Sequence, residues 1–260
     1  MNELPKTNKS LGQHWLTDES ALAAMCDAAD VGKNDTVLEI GPGVGTLTSH
    51  LVRRAREVIA VEFDGVLAME LPFRVPDENL EVIQADILRY DLSALTPGYK
   101  IVANIPYYLT SNLLRVISES SNPPSHVALL VQKEVAERVT AKPGDLSVLG
   151  VSVQFYWEVS LGRLVPAELF TPPPKVDSQI LILTRRSAPL FPDVDPKHFF
   201  RLVKAGFSNR RKTLHNSLAA GYHIDKNKAK SILESADIDP GSRAQELSLE
   251  QWYALAKTII

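Results

Sequence analysis

The chain has 260 residues, 45% of them hydrophobic and 23% charged, enough to bury a core in one large domain or in a large and a small one. Its formal net charge of -3 excludes recognition of nucleic acid by overall charge and leaves only a local patch. A single cysteine, Cys26, excludes an internal disulfide framework, no Cys/His cluster has zinc spacing, and no apolar run is long enough to span a membrane; a cytoplasmic protein without a metal is expected.

Asn8 to Leu16 precede any periodicity and carry Gly12, Gln13, His14 and Trp15. Asp18 is placed to cap a helix over 19–29, on which Leu22, Met25 and Cys26 recur at helical spacing. Residues 36–40 read as a strand, Gly41-Pro42-Gly43-Val44-Gly45 as a tight loop, and 46–54 as a helix. Glycines there let a ligand approach the backbone beside a helix N-terminus. The spacing is neither the dinucleotide fingerprint nor a P-loop, so a nucleoside triphosphate is disfavoured.

A second apolar run, 57–61, ends at Glu62, whose carboxylate can accept both hydroxyls of a ribose. A third, 80–84, is followed by Asp86. The fourth, 101–103, ends in Asn104-Ile105-Pro106-Tyr107. Any one of these polar residues could be a solvated turn residue. Four strand ends in succession instead make one cleft, at the edge where open α/β sheets bind ligands. Helices over 65–71 and 110–120 complete a βαβα alternation, which predicts a doubly wound parallel sheet with right-handed crossovers.

Beyond it, 126–131 reads as a strand, 133–139 as a helix, and 146–156, 159–165 and 178–184 as further strands, the first two antiparallel in appearance. Phe170 precedes the stiff triple proline 172–174. From Arg185 the composition changes to helical patterns over 196–207, 210–219, 226–235 and 249–259, a small second domain. Residues 185–215 carry eight basic side chains against two acids, a local excess of +6 that includes Arg210, Arg211 and Lys212 and suits a phosphate-facing surface.

The strand ends suggest a chemistry. The backbone at Gly41, Gly43 and Gly45, the carboxylate of Glu62 and that of Asp86 would together satisfy an adenosine-containing cofactor. Asn104 offers a side-chain carbonyl and the backbone beside Pro106 a second, so an exocyclic amine could give both hydrogens to acceptors while Tyr107 supplies an aromatic face. Two acceptors stabilise the charge that develops on an aromatic amine as it is methylated.

Six motifs together resemble the KsgA-type ribosomal RNA adenine dimethyltransferases: Lys9-Ser10-Leu11-Gly12-Gln13-His14-Trp15-Leu16, Glu39 to Gly45, Asn104 to Tyr107, Val131 to Ala136, Phe170 to Ser178 and Phe207 to Leu214. The closing Glu246 to Trp252 matches the family's last helix, so the likeness is nearly full length.

This resemblance implies a Rossmann-like class I methyltransferase domain over 1–185, with a cofactor-covering segment 1–17, and a helical RNA-contacting domain over 186–260. It implies S-adenosylmethionine as cofactor and S-adenosylhomocysteine as product. His14, Leu16, Gly41, Glu62, Asp86 and Asn104 would contact the cofactor, and Tyr107 and Phe170 would sandwich an extruded adenine. The implied partner is small-subunit rRNA in an immature ribosomal subunit, the implied product two adjacent N6,N6-dimethyladenosines in its 3′-terminal hairpin loop, and the protein a monomer. Trp15, His14, Tyr108-Leu109-Thr110 and a short loop at 141–145 depart from the family pattern. The Erm group, which methylates large-subunit rRNA, shares several motifs and is the nearest alternative. A non-catalytic RNA-binding assembly factor is another, although Gly41, Glu62 and Asn104 are intact.

Overall fold

The computed structural model describes residues 12–209 and 211–259. Its strands are β1 (Trp15–Leu16), β2 (Thr36–Ile40), β3 (Glu57–Glu62), β4 (Leu80–Gln84), β5 (Lys100–Asn104), β6 (His126–Gln132), β7 (Trp157–Val165), β8 (Phe170–Thr171) and β9 (Ser178–Arg185). Its helices are α1 (Glu19–Ala28), α2 (Thr46–Val52), α3 (Gly65–Arg74), α4 (Thr110–Glu119), α5 (Lys133–Val139), α6 (Val148–Tyr156), α7 (Pro196–Gly206), α8 (Leu214–Tyr222), α9 (Lys226–Ser235) and α10 (Leu249–Thr258). Two compact units emerge: residues 1–136 with 158–185, and residues 137–157 with 186–260. The break at 185/186 is where the composition changes; residues 137–157 group with the C-terminal segment rather than with the part of the chain that precedes them.

In the first unit seven strands form one sheet in the order β4-β3-β2-β5-β6-β9-β7. The pairs from β4 to β6 are parallel and β9 runs antiparallel to β6. This is the doubly wound α/β sheet expected from the alternation. Strand order reverses between β2 and β5, which opens a crevice at their carboxyl ends. All five residues of β2 are buried, including Glu39, and Val127 to Val131 of β6 are fully buried, as befits strands covered on both faces. Asp18 caps α1 by accepting from the Ala21 amide at 2.8 Å, and Ser20 donates to the same carboxylate; with that bond leading, its carboxyl is held below the usual range. Cys26 and Met25 have no exposure and pack in the core, where burial pushes the thiol up to about 12.

The second unit has its own core of Phe155, Phe199, Leu202, Leu218, Trp252 and Leu255 among others. Here the strand expected over 146–156 is instead helix α6. Ser147 caps it by accepting from the Gly150 amide, and Gly150 lies so close to the Arg138 carbonyl that a Cβ would stand 2.8 Å from it. The helix expected from 210 begins at Leu214, and Arg211 and Lys212 lie in the connection before it. Among the described residues no helix is long and apolar enough to cross a membrane.

Candidate functional site

At the carboxyl ends of β2 to β5 lies a cavity of about 330 Å³. Its lining includes His14, Leu16, Gly41, Gly43, Glu62, Asp86, Asn104, Tyr107 and Phe170, every sequence-predicted site residue of the first unit except Gly45. Gly45 precedes α2, and a side chain there would meet Leu71 and Val75 at 2.8 Å, so it packs the loop onto α3 rather than facing the cavity.

The loop glycines divide the work. Gly41 has φ +67 and a Cβ there would meet nothing within 4 Å, so its open side faces the cavity. Gly43 has φ +58 and lies under Trp15, whose ring a Cβ would approach to 2.5 Å. Trp15 thus roofs the loop, packed with Val44 and Leu67.

Glu62 is 6% exposed and accepts from the Gly43 amide at 3.0 Å and from the Asp64 amide at 2.8 Å. Burial raises its pKa, and these two amides offset part of the rise. It therefore ties the end of β3 to the glycine loop. Asp86 turns the chain after β4 by accepting from the Leu88 amide at 3.0 Å, and Arg89 stands 3.7 Å from its other oxygen.

Further contacts arise from the short antiparallel pair β1 and β8, in which Trp15 faces Thr171 and Leu16 faces Phe170. His14 Nδ1 lies 2.7 Å from the Pro172 carbonyl; a carbonyl only accepts, so Nδ1 carries the proton. The His14 carbonyl accepts from Asn104 Nδ2 at 3.4 Å, and its ring stacks on Tyr107 with centroids 6.3 Å apart. Tyr107 in turn shares a 2.8 Å hydrogen bond with Ser178, and burial raises its phenol pKa. The Pro106 carbonyl accepts from Leu109 and that of Tyr107 from Thr110, each at 3.0 Å.

The sequence pattern points to no role for Glu39. It is 1% exposed, lines the cavity, and its Oε2 has no hydrogen-bond partner. Burial, reinforced by the Glu62 carboxylate and only partly offset by the Thr48 hydroxyl, pushes its pKa up to about 8. The signal was present: a lone carboxylate inside the strand Thr36-Val37-Leu38-Glu39-Ile40. Ser178, which fixes Tyr107, carried no such signal because its partner is 71 residues away.

Of the basic trio, Arg211 and Lys212 are exposed in the second unit, and Arg210 lies outside the described residues, as does the segment 1–11. No group of acidic, histidine or cysteine side chains among the described residues could hold a metal ion.

The family model described as ribosomal RNA adenine dimethylase matches residues 4–260. The chain is 43% identical over 254 residues to ribosomal RNA small subunit methyltransferase A of Dehalococcoides mccartyi, covering 96% of this chain and 87% of the relative. It is 41% identical to the protein of the same name from Clostridium botulinum, covering 98% and 94%. Among solved structures it resembles a dimethyladenosine transferase from Plasmodium falciparum, with TM-score 0.80 and 27% identity over 93% of this chain and 96% of that one. It also resembles the 23S rRNA methyltransferase ErmE, with TM-score 0.74 and 27% identity over 94% and 99%. With a match over nearly its whole length, the chain belongs to the ribosomal RNA adenine dimethylase family.

Proposed function

We propose that this protein transfers methyl groups from S-adenosylmethionine to N6 of two adjacent adenosines in the 3′-terminal hairpin loop of small-subunit rRNA, giving N6,N6-dimethyladenosines. One observation carries the reading: a single cavity joins the glycine loop, Glu62 and Asp86 to Asn104, Tyr107 and Phe170. The relatives at about 40% identity and named for the small subunit favour that target over the large subunit suggested by ErmE at 27%.

The residues fit such a cofactor. Gly41 leaves open the space a side chain would fill, and the buried Oε2 of Glu39 in the same lining has no hydrogen-bond partner. Gly41 and Gly43 would take the methionine part, Glu62 the ribose and Asp86 the adenine, with His14 and Leu16 closing over them. When bound, the cofactor supplies a methyl group on a positively charged sulfur. The chain's own part is to place the nucleophile. Asn104 Oδ1 and the Ile105 carbonyl would accept both N–H groups of the target amine, draw its lone pair out of ring conjugation and stabilise the positive charge growing on nitrogen. Tyr107 and Phe170 would hold the base out of its stack. Once the methylated nitrogen has lost one proton to solvent, one N–H remains, and one acceptor suffices to orient it.

Arg210, Arg211 and Lys212 would neutralise rRNA phosphates. A monomer acting in the cytoplasm on an immature small subunit completes the proposal. The decisive experiment is transfer of labelled methyl groups to unmethylated small and large subunits, followed by mapping of the modified bases. Label confined to the large subunit would establish the Erm-like alternative, and no label on either would establish a non-catalytic factor.

A further inference from the structure

Helix α3 buries Leu67, Ala68 and Leu71 in the sheet unit, yet Val66, Met69 and Phe73 on its other side are 61%, 69% and 84% exposed. Their spacing of three and seven residues aligns them in one stripe, and Pro72 beside Phe73 is exposed too. Single exposed apolar side chains are ordinary; several large ones in one helical stripe mark a binding surface. Phe63 is also exposed but lines the cofactor cavity, so it is not counted here.

The surroundings of the stripe say what it binds. Residues 64–81 carry five acids, Asp64, Glu70, Asp77, Glu78 and Glu81, against one base, Arg74, a local balance of -4. Arg74 is itself held by Glu70 at 2.8 Å. Such a field repels phosphate backbones and anionic lipid, in contrast to the +6 of residues 185–215. Apolar anchors on a stretch of net negative charge complement a basic polypeptide that carries an aliphatic or aromatic anchor of its own.

We propose that the Val66–Met69–Phe73 stripe docks a lysine- and arginine-rich polypeptide segment of a ribosomal protein on the substrate particle. The proposal rests on the reading that an assembled small subunit is the substrate, because protein-free RNA offers no such segment. Helix α3 thereby reads the protein content of the particle while the basic segment reads its RNA.

The test uses the full chain with a benzophenone amino acid at position 69, irradiated with purified unmethylated small subunits. The expected adduct maps to a Lys/Arg-rich stretch of a ribosomal protein; adducts to rRNA, to a second copy of this chain, or none at all overturn the proposal. The crosslink does not depend on turnover, so its failure is distinct from a failure to methylate small subunits. In parallel, the exposed double variant Met69→Ser/Phe73→Ser should raise KM for small subunits about tenfold, the loss expected for two apolar anchors. Its kcat and its affinity for S-adenosylhomocysteine should stay within about twofold, since neither residue lines the cavity. An unchanged KM overturns the proposal.

Discussion

The side-chain amide of Asn104 donates to the backbone carbonyl of His14 at 3.4 Å, joining the end of β5 to a segment 90 residues earlier in the chain. That bond fixes which end of the amide does what: Nδ2 is the donor, so Oδ1 is the acceptor presented to the cavity. Asn104→Ala should therefore lower kcat/KM for methyl transfer by about 10²–10³, the usual loss when one preorganised transition-state contact is removed. RNA affinity should stay within a few-fold. Near-normal turnover in single-turnover assays would remove Asn104 from the acceptor role.

Tyr107 and Ser178 form one unit through their 2.8 Å hydrogen bond. Tyr107→Phe keeps the ring and loses the bond, and Ser178→Ala loses the same bond from the other side. Each should weaken productive RNA binding by about 1 kcal/mol, and the double variant by no more than either alone. A double-mutant cycle in KM that comes out additive would show that the two hydroxyls act separately.

The glycine loop predicts opposite phenotypes for two neighbouring positions. Gly41→Ala meets no atom of the protein, so its stability cost should be limited to about 1–2 kcal/mol for the left-handed backbone, while cofactor affinity falls at least about tenfold as the methyl group enters the cradle. Gly43→Ala adds a collision with the Trp15 ring and should destabilise the fold more than Gly41→Ala does. Thermal melts and calorimetric titration with S-adenosylhomocysteine distinguish the two; equal melting losses would contradict the packing of Trp15 on Gly43.

Glu39 gives the fold a pH dependence of defined sign. Its pKa in the folded chain, about 8, lies above that of an unfolded glutamate, so the native state holds the proton more tightly. Stability is fully present below the unfolded pKa and is lost as pH rises through the folded value, by a few kcal/mol on an order-of-magnitude basis. Glu39→Gln mimics the protonated form and should flatten the melting temperature between about pH 5 and 8, relative to the unaltered chain. Parallel pH–stability curves for the two proteins would mean that Glu39 is already ionised in the fold.

Arg211 and Lys212 are exposed and so are replaceable without cost to the core. Arg211→Ala/Lys212→Ala should reduce the slope of log binding constant against log salt by about 1.5, for two lost phosphate contacts. An identical slope in RNA titrations at several ionic strengths would place the phosphate contacts elsewhere.

Much of this architecture is legible in the order of residues because the signals are local. Strand, glycine loop and helix over 36–52 follow from apolar runs and turn chemistry, and the acid or amide at each strand end is fixed by sequence distance alone. The strand-like pattern of 146–156 has a physical origin. Val151, Val153 and Phe155 alternate with Ser152 and Gln154 as a strand would, and all three are buried. What makes the segment helical is the Ser147 cap and the close seat of Gly150 on the carbonyls of Arg138 and Val139, neither visible as a period. Glu39 does not stand out in the sequence because a buried strand declares itself by its apolar content, and the contacts of His14 and Ser178 depend on partners that only the folded chain brings near.

Leu16 and Phe170 sit opposite each other in a ladder two residues long, separate from the seven-stranded sheet. On the proposed assignments one side of this latch belongs to the cofactor and the other to the target base. Thermodynamic linkage then imposes a symmetry on the enzyme: whatever factor the cofactor contributes to adenine affinity through the latch, adenine must return to cofactor affinity. On those assignments, a change at the latch that loosens the half-modified base loosens the cofactor by the same factor.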